Sequence, residues 1–199
     1  MLGYVGVMQA SVAALDLLPH VRVILGILIG LAIARLLLGL ADLPRRGVFL
    51  PHALWSGALL LELVRFWWWQ FALFPVKIWT FGIFVYLVAY AVVLFMLCAL
   101  LYPDRIADHG GYEAYFLERR RWFFSILGAT FLFEAIDVAI RGAAHLQRFS
   151  GEYMVAVPVG IALCALAVWS PNRHVHLALA AAMLAYELSW LFRLFNTVA

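Results

Sequence analysis

The chain has 199 residues, 67% of them hydrophobic and 13% charged, where a soluble domain is about half apolar and a quarter charged. So much apolar surface excludes a water-soluble globule, and six membrane crossings of about 20 residues each leave no room for a separate soluble domain. The net charge of +3 comes from 14 Lys and Arg against 11 Asp and Glu; most bases fall between apolar segments, which suits membrane orientation and not nucleic-acid binding.

Residues Met1 to Leu18 are apolar but lack the positively charged start of a signal peptide, and Asp16 and Pro19 interrupt them. They are expected to form a short apolar surface helix, not a seventh span. Six longer apolar segments follow: Val21 to Ala41, Phe49 to Phe74, Ile78 to Tyr102, Trp122 to Arg141, Tyr153 to Ser170 and Val175 to Phe195. Within hydrocarbon every backbone polar group must be satisfied internally, and unbroken runs of this length are not barrel strands. The expected fold is an all-α integral membrane protein, a single domain built as a bundle of six transmembrane helices.

Pro44, Pro51, Pro75, Pro103 and Pro171 lie between segments or in first turns, where a missing amide proton matters little. Pro158 and Gly160 fall inside the short fifth segment and predict a kink there. Arg45 and Arg46, then Arg105 with Arg119, Arg120 and Arg121, then Arg173 mark the connections after odd-numbered helices. That bias assigns those connections to the cytoplasm and both termini to the far side, in a bacterial-type inner membrane. The opposite side carries Arg22, Lys77, Arg141, Arg148 and Arg193.

Trp67, Trp68, Trp69 and Trp79 gather at one expected interface, and Tyr102, Trp122 and Trp169 at the other. Gly26-x-x-x-Gly30 and the face of Ala178, Ala182, Ala185 and Ser189 permit close helix approach, either within one chain or in a homo-oligomer. Cys98 and Cys164 each sit within an apolar run and read as small packing residues.

The ionisable residues inside the spans carry the functional signal, because each is expensive in hydrocarbon unless paired, hydrated or neutralised. Glu62, Glu134 and Glu187 fall near the midpoints of three segments. On the second helix His52, Trp55, Leu59, Glu62, Phe66 and Trp69 share a stripe, with Arg65 beside it and within reach of Glu62. On the fourth, Glu134, Asp137 and Arg141 line one stripe, while Arg35 lies near the cytoplasmic end of the first. Four deep acids, Glu62, Glu134, Asp137 and Glu187, face two bases, Arg35 and Arg65, and that surplus favours bound protons or a cation.

A second constellation comprises His52, Asp104, Asp108, His109, Glu113, His174 and His176 at the expected cytoplasmic surface. His174, His176, Asp108 and His109 are weak metal candidates, since His-x-His matches no zinc signature and no nucleophile elbow or phosphate loop is present. No cofactor is expected, and no His at a span centre offers paired haem ligation. The Glu-Arg-Arg-Arg run ending the long connection from Tyr102 to Arg121 reads as a topology anchor at anionic lipid head groups.

These residues point to a small transporter or channel for protons or small cations. Glu62, Glu134, Asp137 and Glu187 would bind the ion, Arg35 and Arg65 would tune the charge, and His52 and Trp55 would line the path. Membrane lipids and further copies of the chain are the expected partners. One rival is a noncatalytic scaffold acting through helix packing; another is a membrane enzyme or lipid-binding protein using the surface His and Asp residues.

Overall fold

A computed structural model describes residues 2–46, 48–73, 79–103 and 105–194. Pro75, Lys77 and Asp104 lie outside the described residues. The described residues form six α-helices: α1 (Leu2–Arg46), α2 (Leu50–Trp69), α3 (Phe81–Leu101), α4 (Tyr112–Ile140), α5 (Ala143–Trp169) and α6 (Arg173–Leu194). Two single 3-10 turns complete the described elements, and no strand occurs among them.

Five segments, Leu18–Pro44, Phe81–Leu101, Tyr112–Ile140, Gly151–Trp169 and Arg173–Arg193, are long and apolar enough to cross a membrane. The class is therefore a helical membrane protein. Helix α2 falls outside that set because His52, Glu62, Arg65 and three terminal Trp residues dilute its apolar character. Yet its polar residues face inward: His52, Ser56, Glu62 and Arg65 are all buried.

Three elements run longer than the apolar segments. The 45 residues of α1 continue through Pro19 as one helix of about 68 Å, so the N-terminal stretch extends the first helix instead of forming a separate one. Helix α4 begins at Tyr112, ten residues before the expected start at Trp122, so Arg119, Arg120 and Arg121 are helical and not part of a loop. The turn that permits this uses Gly110 at φ 71° and Gly111 at φ 112°, a left-handed region in which a Cβ is strained. Helix α5 likewise starts at Ala143, directly after Gly142 at φ 100°.

Neither Pro158 nor Gly160 ends α5. Gly160 serves packing: a Cβ there would run into the ring of Phe131 on α4, so its absence lets the two helices approach. Of the Gly26 and Gly30 pair, only Gly26 is close-packed, with a Cβ position 3.2 Å from Trp67, while Gly30 has nothing within 4 Å. Ala178, Ala182 and Ala185 are exposed.

The helices close a ring in which α1 packs on α3, α3 on α4, α4 on α5, α6 on α2 and α2 on α1, with α2 also touching α3. Helices α5 and α6 meet only sparsely. Replacing Gly160 by Ala is expected to displace Phe131 and destabilise the protein by about 1–3 kcal/mol, whereas Gly30→Ala should be neutral. Thermal unfolding of both variants in one detergent checks this, and equal melting temperatures would remove the close-approach role of Gly160.

Candidate functional site

The buried stripe of α2 repeats at three and four residues, so Trp55, Leu59, Glu62 and Phe66 point the same way and Arg65 lies beside Glu62. Arg65 is the centre of the site. Its Nε donates to Glu187 Oε2 on α6 at 3.1 Å, its Nη2 donates to Glu134 Oε1 on α4 at 2.5 Å, and the same nitrogen donates to Glu62 Oε2. The three carboxylates named from their shared depth thus converge on one guanidinium. All four side chains are buried, Glu187 to 1% exposure.

Helix counting agrees with the contacts. Glu62 lies seven residues before Trp69, Glu134 six before Ile140 and Glu187 seven before Leu194, placing the cluster about 10 Å from those three ends. Because α4 starts early, Glu134 sits well past the middle of its helix. The cluster is off-centre, toward the Trp69 end.

Tyr90 on α3 donates to Glu62 Oε1 at 3.4 Å, and the ring of Trp190 lies 5.5 Å from the Arg65 guanidinium. Asp137 stands apart from the three Glu residues in its bonding: Arg141 Nε donates to it at 2.6 Å, and Arg141 also donates to the Trp69 carbonyl. Arg35 is not the second base of the cluster. It donates to the Tyr102 carbonyl at 2.8 Å, at the opposite end of α3. Three carboxylates therefore share one guanidinium, a surplus of two negative charges if all are ionised. In a low-dielectric interior such a surplus is costly unless it is neutralised.

Two turns from Glu62, Trp55 packs edge-on against Phe123 at 5.3 Å and Phe124 at 5.4 Å. Its Nε1 is buried and has no hydrogen-bond partner among the described residues. One turn further, His52 donates through Nε2 to the Leu101 carbonyl oxygen and is enclosed by the rings of Tyr102, Tyr112 and Phe116 at 5.1, 5.2 and 5.6 Å. Since a carbonyl only accepts, Nε2 carries the proton. Of the two residues expected to line a path, Trp55 borders a cleft of about 580 Å³ between α5 and α6, while His52 is fully enclosed.

The expected surface constellation does not assemble. His176 is buried, stacked on Phe124 at 5.3 Å, with Nε2 at 2.8 Å from the Ser170 carbonyl oxygen. His174 and Asp108 are exposed, and His109 pairs with Glu118 at 3.1 Å. Among the described residues no group of three His, Cys, Asp or Glu side chains is placed to hold a metal. Tyr90 and Trp190 were not legible as site residues, because each joins the cluster through a contact between distant helices.

No family model, curated protein or solved structure matches the chain.

Replacing Arg65 by Leu leaves three buried carboxylates without their shared base and is expected to lower stability by about 3–5 kcal/mol. Glu134→Gln keeps Arg65 paired with two acids and should lower it less. Thermal unfolding decides between them, and equal losses would argue against a charge surplus.

Near the same end, His145 lies in the first turn of α5, outside the apolar spans, with its ring 5.1 Å from that of Trp69. Burial pushes its imidazole from 6.5 down to about 4, and Arg141 and Arg148 add their repulsion. The folded protein therefore holds it neutral while the unfolded chain takes up a proton near pH 6.5. Its contribution is present above that value and is lost as the pH falls toward 4. Melting temperatures at pH 7.5 and 5 should drop further for the unmodified protein than for His145→Gln, and parallel drops would refute the assignment.

Proposed function

We propose that the chain is a small carrier of protons or cations that crosses the membrane six times, with α2 as the inner sixth span and both termini on the non-cytoplasmic side. The observation that carries this reading is the convergence of Glu62, Glu134 and Glu187 on Arg65. One guanidinium can satisfy the carboxylates geometrically without neutralising them. The remaining charge is met by exchangeable protons or by a small cation, and Arg65 can stay paired while the occupant changes.

The aromatic layer of Trp55, Phe123 and Phe124 on the His52 side supports a carrier over an open channel, since three bulky rings pack edge to edge at that level. Loading from the Trp69 end and release past this layer would then require a change of conformation. The arginine-bearing connections around Arg105 and Arg173 orient the His52 end toward the cytoplasm.

A second reading is favoured by the same contacts: Arg65 ties α2 to α4 and α6, as a purely architectural ion-pair network in a scaffold would. Liposome flux separates the two. Purified protein should pass protons or a common monovalent cation down an imposed gradient, and a Glu62→Gln, Glu134→Gln, Glu187→Gln triple variant that still folds should lose at least about tenfold of that rate, the equivalent of one hydrogen-bonded charge. No flux from the unmodified protein across a range of pH and voltage, or equal flux from the variant, would leave the scaffold reading.

A further inference from the structure

The cleft between α5 and α6 has a chemistry distinct from the buried cluster. Its floor is formed by Trp55, Phe124, Leu127 and Phe131, and its α5 rim is exposed, Val155 to 63% and Val159 to 49%. It is apolar along its length and opens sideways, between two helices, where a membrane protein meets lipid. From Gly151 to Cys164 the lining on α5 spans 14 residues, about 20 Å of helix, slightly more than the roughly 15 Å of hydrocarbon in one leaflet.

Only one end is charged. There Arg193 donates to both carboxylate oxygens of Glu152, at 3.2 and 2.8 Å, and the pair lies within the cleft lining. Both members reach the surface, Arg193 with half of its side chain exposed at 51% and Glu152 with 25%. An apolar slot of leaflet depth that ends in a surface-facing cation and anion is complementary to a molecule with one hydrocarbon chain and a head group carrying both signs of charge.

We propose that this cleft is a specific site for one acyl chain of an aminophospholipid, with its phosphate at Arg193 and its ammonium at Glu152. The volume of about 580 Å³ lies within the range of sites that enclose small organic ligands. The acyl chain lies over Trp55, Phe124 and Phe131, which floor the cleft where α5 and α6 meet only sparsely. The anionic and cationic head-group contacts give selectivity that a merely lipid-facing helix does not have. This assignment stands independently of ion transport.

Native mass spectrometry of the purified full chain, with dioleoyl phosphatidylethanolamine or dioleoyl phosphatidylglycerol supplied in mixed micelles, tests it. The unmodified protein should retain one phosphatidylethanolamine per chain with about a tenfold preference over phosphatidylglycerol, as expected for charge-assisted head-group contacts. The Glu152→Gln, Arg193→Gln double variant should lose that preference while still binding lipid. Val159→Trp, which fills the slot from its exposed rim, should lose retention altogether while keeping its helical circular dichroism. If Val159→Trp fails to fold, the double variant alone decides. Equal retention of both lipids by the unmodified protein, no retained lipid, or a lipid-free dimer in which a second copy covers the cleft would each overturn the proposal.

Discussion

The guanidinium of Arg65 organises this protein. Its planar fork presents several N–H donors in fixed directions, so one side chain can meet carboxylates arriving from its own helix, from α4 and from α6. A point-charge ammonium lacks that geometry. Once Arg65 occupies the interior, α2 cannot be a peripheral helix, because its charge must stay among its partners. Its modest hydropathy and its inward polar stripe are therefore two sides of one constraint.

The ends of the bundle differ in kind. On the Trp69 side the cluster is bordered by Trp190, which lies 5.5 Å from both the Arg65 and Arg193 guanidinium groups, and by the Asp137 and Arg141 pair. Polar and aromatic groups alternate there out to the surface. On the other side Trp55, Phe123 and Phe124 form an aromatic layer, backed by His52 in its nest of tyrosine and phenylalanine rings.

Helices α5 and α6 are neighbours held by different partners. The missing Cβ of Gly160 draws α5 onto α4 at Phe131, while the bond from Arg65 to Glu187 draws α6 onto α2. Each is committed elsewhere, and the gap between them is the cleft. Small exposed residues on α6, such as Ala182, widen it further.

Much of this was readable from residue order alone. Apolar runs longer than a barrel strand dictate helices, because hydrocarbon offers the backbone no other partner, and the equal depth of Glu62, Glu134 and Glu187 follows from counting along each segment. Asp137 and Arg141 could be paired from their spacing of four, since both lie on one helix. Element ends were less legible: positive-φ glycines at 110, 111 and 142 restart helices earlier than the apolar pattern does, and Pro19 interrupts nothing. Which base serves acids on other helices was not legible. Arg35 and Arg65 are equivalent as charges in a sequence, yet only Arg65 meets the three glutamates, and the partners of Glu152 and Trp190 lie on other helices. Local periodicity determines which face of a helix is polar; which helix that face meets depends on the packing of all six, and that only the tertiary structure decides.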